Sequence, residues 1–246
     1  MQNLDLNNLK WLLSPLILSA KTLCFSLVLF ITIGILLAYF LAFYKGKFKT
    51  FFELVIMFPL IFPPIATGFL LLYVFGRNGF IASFLNLEIV FSFKALVIAS
   101  FLAGLPLFVK PIQAAFENFP KDLIEAGLSL GKNRFEIAVF IIFPNIIGVL
   151  LASLILALGR GLGEVGITLM LGGNIIGKTD TVSLAIFNAV YDGQNEKALI
   201  LSFVLVSSFM FWMIGILKNI RELLKFDKFG FILIILRLNL VSKSKF

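Results

Sequence analysis

Histidine is absent from this chain of 246 residues, cysteine occurs once, and charged residues make up only 14%. With no imidazole and a single thiol, the sequence excludes an intramolecular disulfide, a cysteine-based zinc cluster and most other metal and nucleophilic chemistry. Cys24 sits inside an apolar run and reads as a small buried hydrophobe. Acidic side chains are scarcer than basic ones, 13 against 21, which leaves a net charge of +8. That excess is not gathered on one face. The lysines and arginines stand between apolar runs, a pattern that fits a membrane and not a nucleic acid. In place of charge the chain has 60% hydrophobic residues. A soluble domain carries about 45–50% apolar and about 25% charged residues, so the bilayer must be the solvent here.

A crossing helix needs about 20 mostly apolar residues. Counting between charges gives candidate spans at 22–43, 54–75, 137–159 and 198–217. A fifth, 94–110, has 15 uncharged residues between Lys94 and Lys110, whose ammonium groups can snorkel outward and lengthen it. The expected fold is all-α, with about five transmembrane helices. The run 165–177 is too short and too rich in glycine to cross, and is expected to be re-entrant or to line a cavity. The start, "MQNLDLNNLK", does not read as a cleavable signal, because the apolar run after Lys21 is too long for a signal core. No repeat, linker or low-complexity tract divides the chain. The expected organisation is one membrane domain, 1–225, and an apolar, basic tail, 226–246, lying at the interface and anchored by Arg237, Lys243 and Lys245.

Placing the segment 118–136 in the cytoplasm puts eleven lysines and arginines on that side and seven on the other, before the tail. The expected topology has the N-terminus outside and the C-terminus inside.

Two places look built for more than crossing. In "MFPLIFPPIATGFLLLYVFG", Pro59, Pro63 and Pro64 each remove a backbone donor, so the helix must bend or break. Broken backbone at membrane depth belongs against protein or a water-filled path. Thr67 and Gly68 offer a hydroxyl and a close backbone approach there. The plain alternative is a kink needed only for packing.

The second place is "EAGLSLGKNRFEIAVFIIFP", Glu125 to Pro144. Pro120 suits a first helical turn, Leu123, Ile124, Gly127 and Leu128 fall on one helical face, and Gly131 fits a left-handed cap. Lys132 and Arg134 keep the turn in water, and Pro144 is expected to kink the start of the next span. A short helix with small residues on its apolar face is expected to insert into a groove on a partner rather than lie on lipid.

This stretch resembles the cytoplasmic signature of ABC importer permeases: Glu-Ala-Ala, three residues, Gly, nine residues, Ile, two residues, Pro. Glu125, Ala126, Gly131, Ile141 and Pro144 match it, and Gly127 stands in place of the second alanine. With "FPLIFPPIATGFLLLYVFGRNGFI" and "GRGLGEVGITLMLGGNIIGKTDTVSLAIFNAV", it is similar to the permease subunits of molybdate importers, from about Lys21 to Leu217. Tungstate and sulfate permeases share much of the pattern. The resemblance implies a type I importer permease fold with a cytoplasmic coupling helix, in a bacterial inner membrane. It implies a homodimer, two copies of a cytoplasmic ATPase docked on the coupling helices, and an external oxyanion-binding protein. ATP and magnesium would be used by the ATPase. This chain has no glycine loop with Lys and Ser/Thr to cradle phosphate, and no cofactor or catalytic residue is expected in it.

For the translocation path the expected residues are Pro63, Pro64, Thr67, Arg160, Glu164, Thr168 and Asn174. Arg160 and Glu164 are four apart and would share a face, either as an ion pair that makes two costly charges tolerable or as an attractive mouth for an anion. Neutral donors such as Thr67, Thr168 and Asn174 suit a path, since an ion held tightly could not leave. Asn174, Gly177 and Thr179 lie in a turn-forming stretch that either meets the binding protein or is a solvated loop. Two other classes compete. A transporter driven by an ion gradient usually carries intramembrane acids, and Glu164 is the sole candidate, at a span's end. A scaffold that transports nothing has no use for the broken second helix.

Overall fold

A computed structural model describes residues 10–76, 79, 89–215 and 218. The tail 226–246 lies outside them. Among the described residues all regular structure is helical. We number the helices α1 (Lys10–Leu29), α2 (Ile35–Phe43), α3 (Lys49–Ile61), α4 (Pro64–Phe75), α5 (Phe93–Glu117), α6 (Lys121–Ser129), α7 (Arg134–Ile137), α8 (Phe143–Leu162), α9 (Gly166–Gly172), α10 (Val182–Tyr191) and α11 (Asn195–Gly215). A π-turn, Phe30–Gly34, joins α1 to α2 without a break, and a second, Ala138–Ile142, joins α7 to α8.

Four of these helical stretches are long and apolar enough to cross a membrane: Trp11–Phe43, Phe93–Glu117, Arg134–Leu162 and Asn195–Gly215. The pair α3–α4 makes a fifth crossing only if it counts as one broken span, because it is bent by 118°. Pro64 opens α4 at a first-turn position, where its missing N–H costs nothing, and Pro63 precedes it in extended conformation. A stretch counted from sequence as one span is therefore two helical arms joined at a sharp bend.

The helix α5 is the centre of the bundle. Of its spanning window 67% is buried, against 22, 28 and 11% for the other three, so they shield it from lipid. Glycine sets how closely its neighbours approach. A Cβ on Gly104 of α5 would collide with the Ala157 carbonyl of α8 and lie 2.7 Å from the Phe30 ring, and a Cβ on Gly161 of α8 would collide with Ser100. Each helix thus supplies a glycine to the crossing, and backbones meet where hydrocarbon gives no hydrophobic drive for association. Phe30, fully buried, tilts between Phe101 and Phe108 of α5, with ring centroids at 5.0 and 5.1 Å.

Three expectations change. The first helix is already formed at Lys10, well before residue 22, and runs through Lys21. At 1.5 Å per residue the 33 residues Trp11–Phe43 reach about 50 Å, beyond a hydrocarbon core of about 30 Å, so one end stands outside the membrane. Counting between charges finds what hydrocarbon can hold, not what packing keeps helical. α5 likewise runs past Lys110 to Glu117, because Lys110 pairs with Glu53 at 3.5 Å and donates to Gln113 at 3.0 Å instead of ending the helix. Cys24 is exposed rather than buried, because α1 turns Leu23 and Leu27 toward the core and Cys24 away from it.

Candidate functional site

Between α5 and the next span the chain folds a sharp elbow from α6 and α7. Pro120 sits just before α6, not in its first turn, with ψ of 119°. At the far end Gly131 takes φ of +76°, with open space around it, so backbone conformation and not crowding demands glycine. Lys132 N–H donates to the Gly127 carbonyl at 3.1 Å and Gly131 N–H to that of Leu128 at 2.9 Å, the paired bonds of a Schellman stop. Two residues on, Asn133 Oδ1 accepts from Glu136 N–H at 2.8 Å while Glu136 Oε2 accepts from Asn133 N–H at 3.0 Å. That capping box starts α7, so stop and restart fall within three residues.

The signature residues divide into two jobs. Gly127 is buried, and a Cβ there would stand 2.9 Å from Ile141 Cδ1 and 3.0 Å from Ile137 Cγ1. Its smallness serves this chain's own elbow, contrary to the expectation of a small face offered whole to a partner. Ile124 also turns inward, while Leu128 is 49% exposed. Pro144 lies in the first turn of α8, directly after the π-turn that absorbs its missing donor, and Asn145 Nδ2 donates to the Ile141 carbonyl at 2.6 Å. The expected kink is thus a widened turn within one continuous helix. Glu125 and Ala126 are exposed, flanked by exposed Leu123 and Leu130.

At the other end, α4 and α9 pack backbone to backbone. A Cβ on Gly68 would lie 2.9 Å from Ile167 Cα, and one on Gly166 would lie 2.8 Å from Pro64 Cβ. Seven residues of α9 span about 10 Å, too little to cross. Thr67 and Thr168 are buried on these two helices, and each hydroxyl donates to a carbonyl of its own chain at 3.2 Å, Pro63 and Glu164 respectively. Pro63 is exposed. Arg160 Nη1 donates to Glu164 Oε2 at 2.6 Å. The pair forms although the helix stops at Leu162 between them, with Glu164 Oε1 accepting from Ile167 N–H at 2.8 Å. Glu164, 2% exposed, thus ties the end of α8 to the start of α9. Glu164→Gln, which keeps an acceptor for Ile167, is expected to melt only slightly earlier in detergent than the unaltered protein. Glu164→Ala leaves a buried N–H without a partner and is expected to cost about 1–3 kcal/mol more.

Asn174 is not with them. It takes φ of +51° in the loop after α9 and exchanges amide bonds with Asn188 of α10 at 2.7 and 3.0 Å. The loop is held by side-chain hydrogen bonds, with Ile175 to Lys178 exposed. Thr179, fully buried, donates to the Gly172 carbonyl and accepts from Ile175 N–H, both at 2.8 Å. Asp180, 5% exposed, accepts from Gly177 N–H at 2.8 Å. Burial pushes its carboxyl above the usual range, against the pull of that N–H. Its folded form holds the proton longer than its unfolded form, so its contribution to stability falls as pH rises above its ordinary value of 3.8. An open cleft of about 520 Å³ lies here, lined by Trp11, Ser14, Ile176, Asp180, Asn188 and Lys197 among others.

A polar cluster between α3 and α5 was not anticipated. Gln113, 3% exposed, donates from Nε2 to Glu53 at 2.8 Å and to Glu117 at 3.0 Å, and accepts from Lys110. Lys49 pairs with Glu117 at 2.8 Å. The signal was there as spacing: Lys110, Gln113 and Glu117 share one face of a helix, and Lys49 and Glu53 one face of another.

A bundle with a sharply bent helix pair among its spans and a folded elbow beside them is the architecture of a membrane permease. The chain belongs to the family of binding-protein-dependent transport system inner membrane components, whose model matches residues 30–221. Members are non-catalytic permease components of ABC transport systems. The "Probable transport system permease protein NifC" of Clostridium pasteurianum is 35% identical over 143 residues, 57% of this chain and 50% of that one. The molybdenum transport system permease protein ModB of Haemophilus influenzae is 36% identical over 147 residues, 58% of this chain and 64% of that one. Its namesake from Escherichia coli is 30% identical over 185 residues, 74% of this chain and 81% of that one. The match thus spans half to two thirds of the first two relatives and most of the third. Sulfate permeases are also among the similar proteins.

Proposed function

We propose that this chain is the membrane-spanning subunit of an importer that conducts molybdate into the cytoplasm, driven by a separate ATPase. Two copies of the chain form the path, and two ATPase subunits dock on the elbow from the cytoplasmic side. An oxyanion-binding protein delivers the ion from outside, where the N-terminus lies, with the C-terminus inside. The observation that carries this reading is the elbow. Gly127 packed against Ile141 and Gly131 at positive φ fix a defined shape, while Glu125 and Ala126 stand free on the surface. The closely packed helices α4 and α9 and the Arg160–Glu164 pair supply the path, with Pro63, Pro64, Thr67 and Thr168 beside it. The ordered loop around Asn174 and the cleft beside it give the binding protein a firm surface.

A strain lacking the gene is expected to lose uptake of radiolabelled molybdate and to regain it when the chain is restored, with excess unlabelled molybdate competing best. Sulfate permeases among the relatives favour a second reading, in which sulfate or tungstate is the cargo. Uptake abolished by competing sulfate at concentrations where molybdate has no effect would establish that reading and end the first.

A further inference from the structure

The polar cluster between α3 and α5 is complete in itself. Two carboxylates, Glu53 and Glu117, face two ammonium groups, Lys110 and Lys49, and the cluster is neutral. Gln113 lies at its centre and is the only member almost wholly buried. Its two amide hydrogens go one to each carboxylate, and its carbonyl oxygen takes the Lys110 ammonium. Both donors of this side chain are used and its oxygen meets an ammonium, so the amide holds both acids only in this orientation.

The position of the cluster in the chain gives it consequence. Glu117 ends α5, and four residues later α6 begins the elbow. On the other side, Lys49 and Glu53 lie in the first turns of α3, which runs to the 118° bend and so to α4. α4 in turn meets α9 through Gly68 and Gly166, and Glu164 fastens α9 to α8. One route from the elbow to the proline-bent pair α3–α4 therefore passes through these five side chains, beside the one that runs along α7 and α8 to α9.

We propose that this cluster is a strut that keeps α3 fixed to α5 throughout the transport cycle, with Gln113 as its positioning residue, so that movement of the elbow reaches the bent pair α3–α4. The proposal rests on the reading that a separate ATPase drives the chain through the elbow. A latch that opened in each cycle would have to separate two ion pairs and expose a buried amide. A strut keeps them and moves as one body.

The test uses the permease–ATPase complex in vesicles. Gln113→Leu keeps the volume and removes all three bonds. It is expected to leave ATP hydrolysis within about twofold while molybdate imported per ATP falls about five- to tenfold, within the range that single residues on a coupling route carry. Tungstate and sulfate are run in parallel. Exchanging the charges, Lys49→Glu with Glu117→Lys, is expected to restore part of what either change alone loses, which a purely steric role would not allow. For the lock, Lys49→Cys and Glu117→Cys are placed in a Cys24→Ser background and joined by a short bismaleimide. The locked complex is expected to hydrolyse ATP and import as before. If locking stops either, the pair separates during the cycle and the strut is wrong. Unchanged import per ATP in Gln113→Leu is equally contrary to it.

A readout that needs no cargo separates this proposal from the identity of the ion. In the same Cys24→Ser background, Phe62→Cys places a thiol at the exposed bend. Its maleimide labelling is expected to change when the complex binds ATP and magnesium, and to stop changing when Gln113→Leu is added. Labelling indifferent to nucleotide with Gln113 in place, or still responsive without it, overturns the strut even if molybdate, tungstate or sulfate is imported.

Discussion

Gly104→Leu is expected to leave little folded protein in the membrane. At that position a Cβ alone would collide with the backbone carbonyl of Ala157, and Phe30 closes the other side at 2.7 Å. A flexible neighbour could swing aside, but a carbonyl in the middle of a helix cannot move without moving α8. Extra bulk in a well-packed core costs about 1–3 kcal/mol and sometimes more, and here it must prise apart the two helices at the centre of the bundle. We therefore expect a loss of about 3 kcal/mol or more, enough to collapse the yield of monodisperse protein on size exclusion in detergent. Gly104→Ala should fall between Gly104→Leu and the unaltered chain. Gly148→Ala is the control: nothing lies within 4 Å of its Cβ, so that change should leave yield and melting temperature where they were, or raise them slightly. Normal assembly of Gly104→Leu would mean that α5 and α8 do not pack as described.

How much of this was legible beforehand differs by element, and the reason is physical. Gly131 was readable because a left-handed cap is a demand of backbone geometry that one residue type meets cheaply, and the structure gives it φ of +76°. The broken second helix was readable from Pro63 and Pro64 for a similar reason. The 118° of the bend was not, because prolines remove donors but the angle is set by what α4 packs against, and that is α9, about a hundred residues later. Gly104 was silent for the same cause. A glycine in an apolar helix marks a close approach without saying to whom, and its partner Ala157 carries no signal of its own.

Charges misled in a more interesting way. In sequence Lys110 and Lys21 mark boundaries, since an isolated ammonium is costly in hydrocarbon. Lys110 is not isolated: Glu53, counted as the edge of a different span, neutralises it. Reading each span alone hid a pairing that exists only between spans. The elbow shows the opposite error. Gly127 and Ala126 were read as one small surface, yet one faces Ile141 and the other faces outward. Adjacent residues on a helix are 100° apart, and which of them a partner can touch depends on how the chain docks against itself.

That division yields the sharpest prediction about the elbow. Ala126→Trp combined with Glu125→Arg is expected to abolish co-purification of the ATPase while the permease still inserts and folds. Both side chains are exposed, so neither change crowds the bundle. If Leu123, Ala126 and Leu130 form the apolar centre of the docked face, a bulky ring there forces the partner off. A loss at least as large as a hot-spot truncation, about 2 kcal/mol, weakens association by roughly thirtyfold or more. Gly127→Leu should behave differently. Its side chain would enter space held by Ile137 and Ile141, so it should lower the melting temperature of the permease itself before any partner is added. Two variants next to each other in sequence are thus expected to fail by different routes, one in binding and one in folding. Should the outward pair retain the ATPase at normal affinity, the elbow would not be where the motor takes hold.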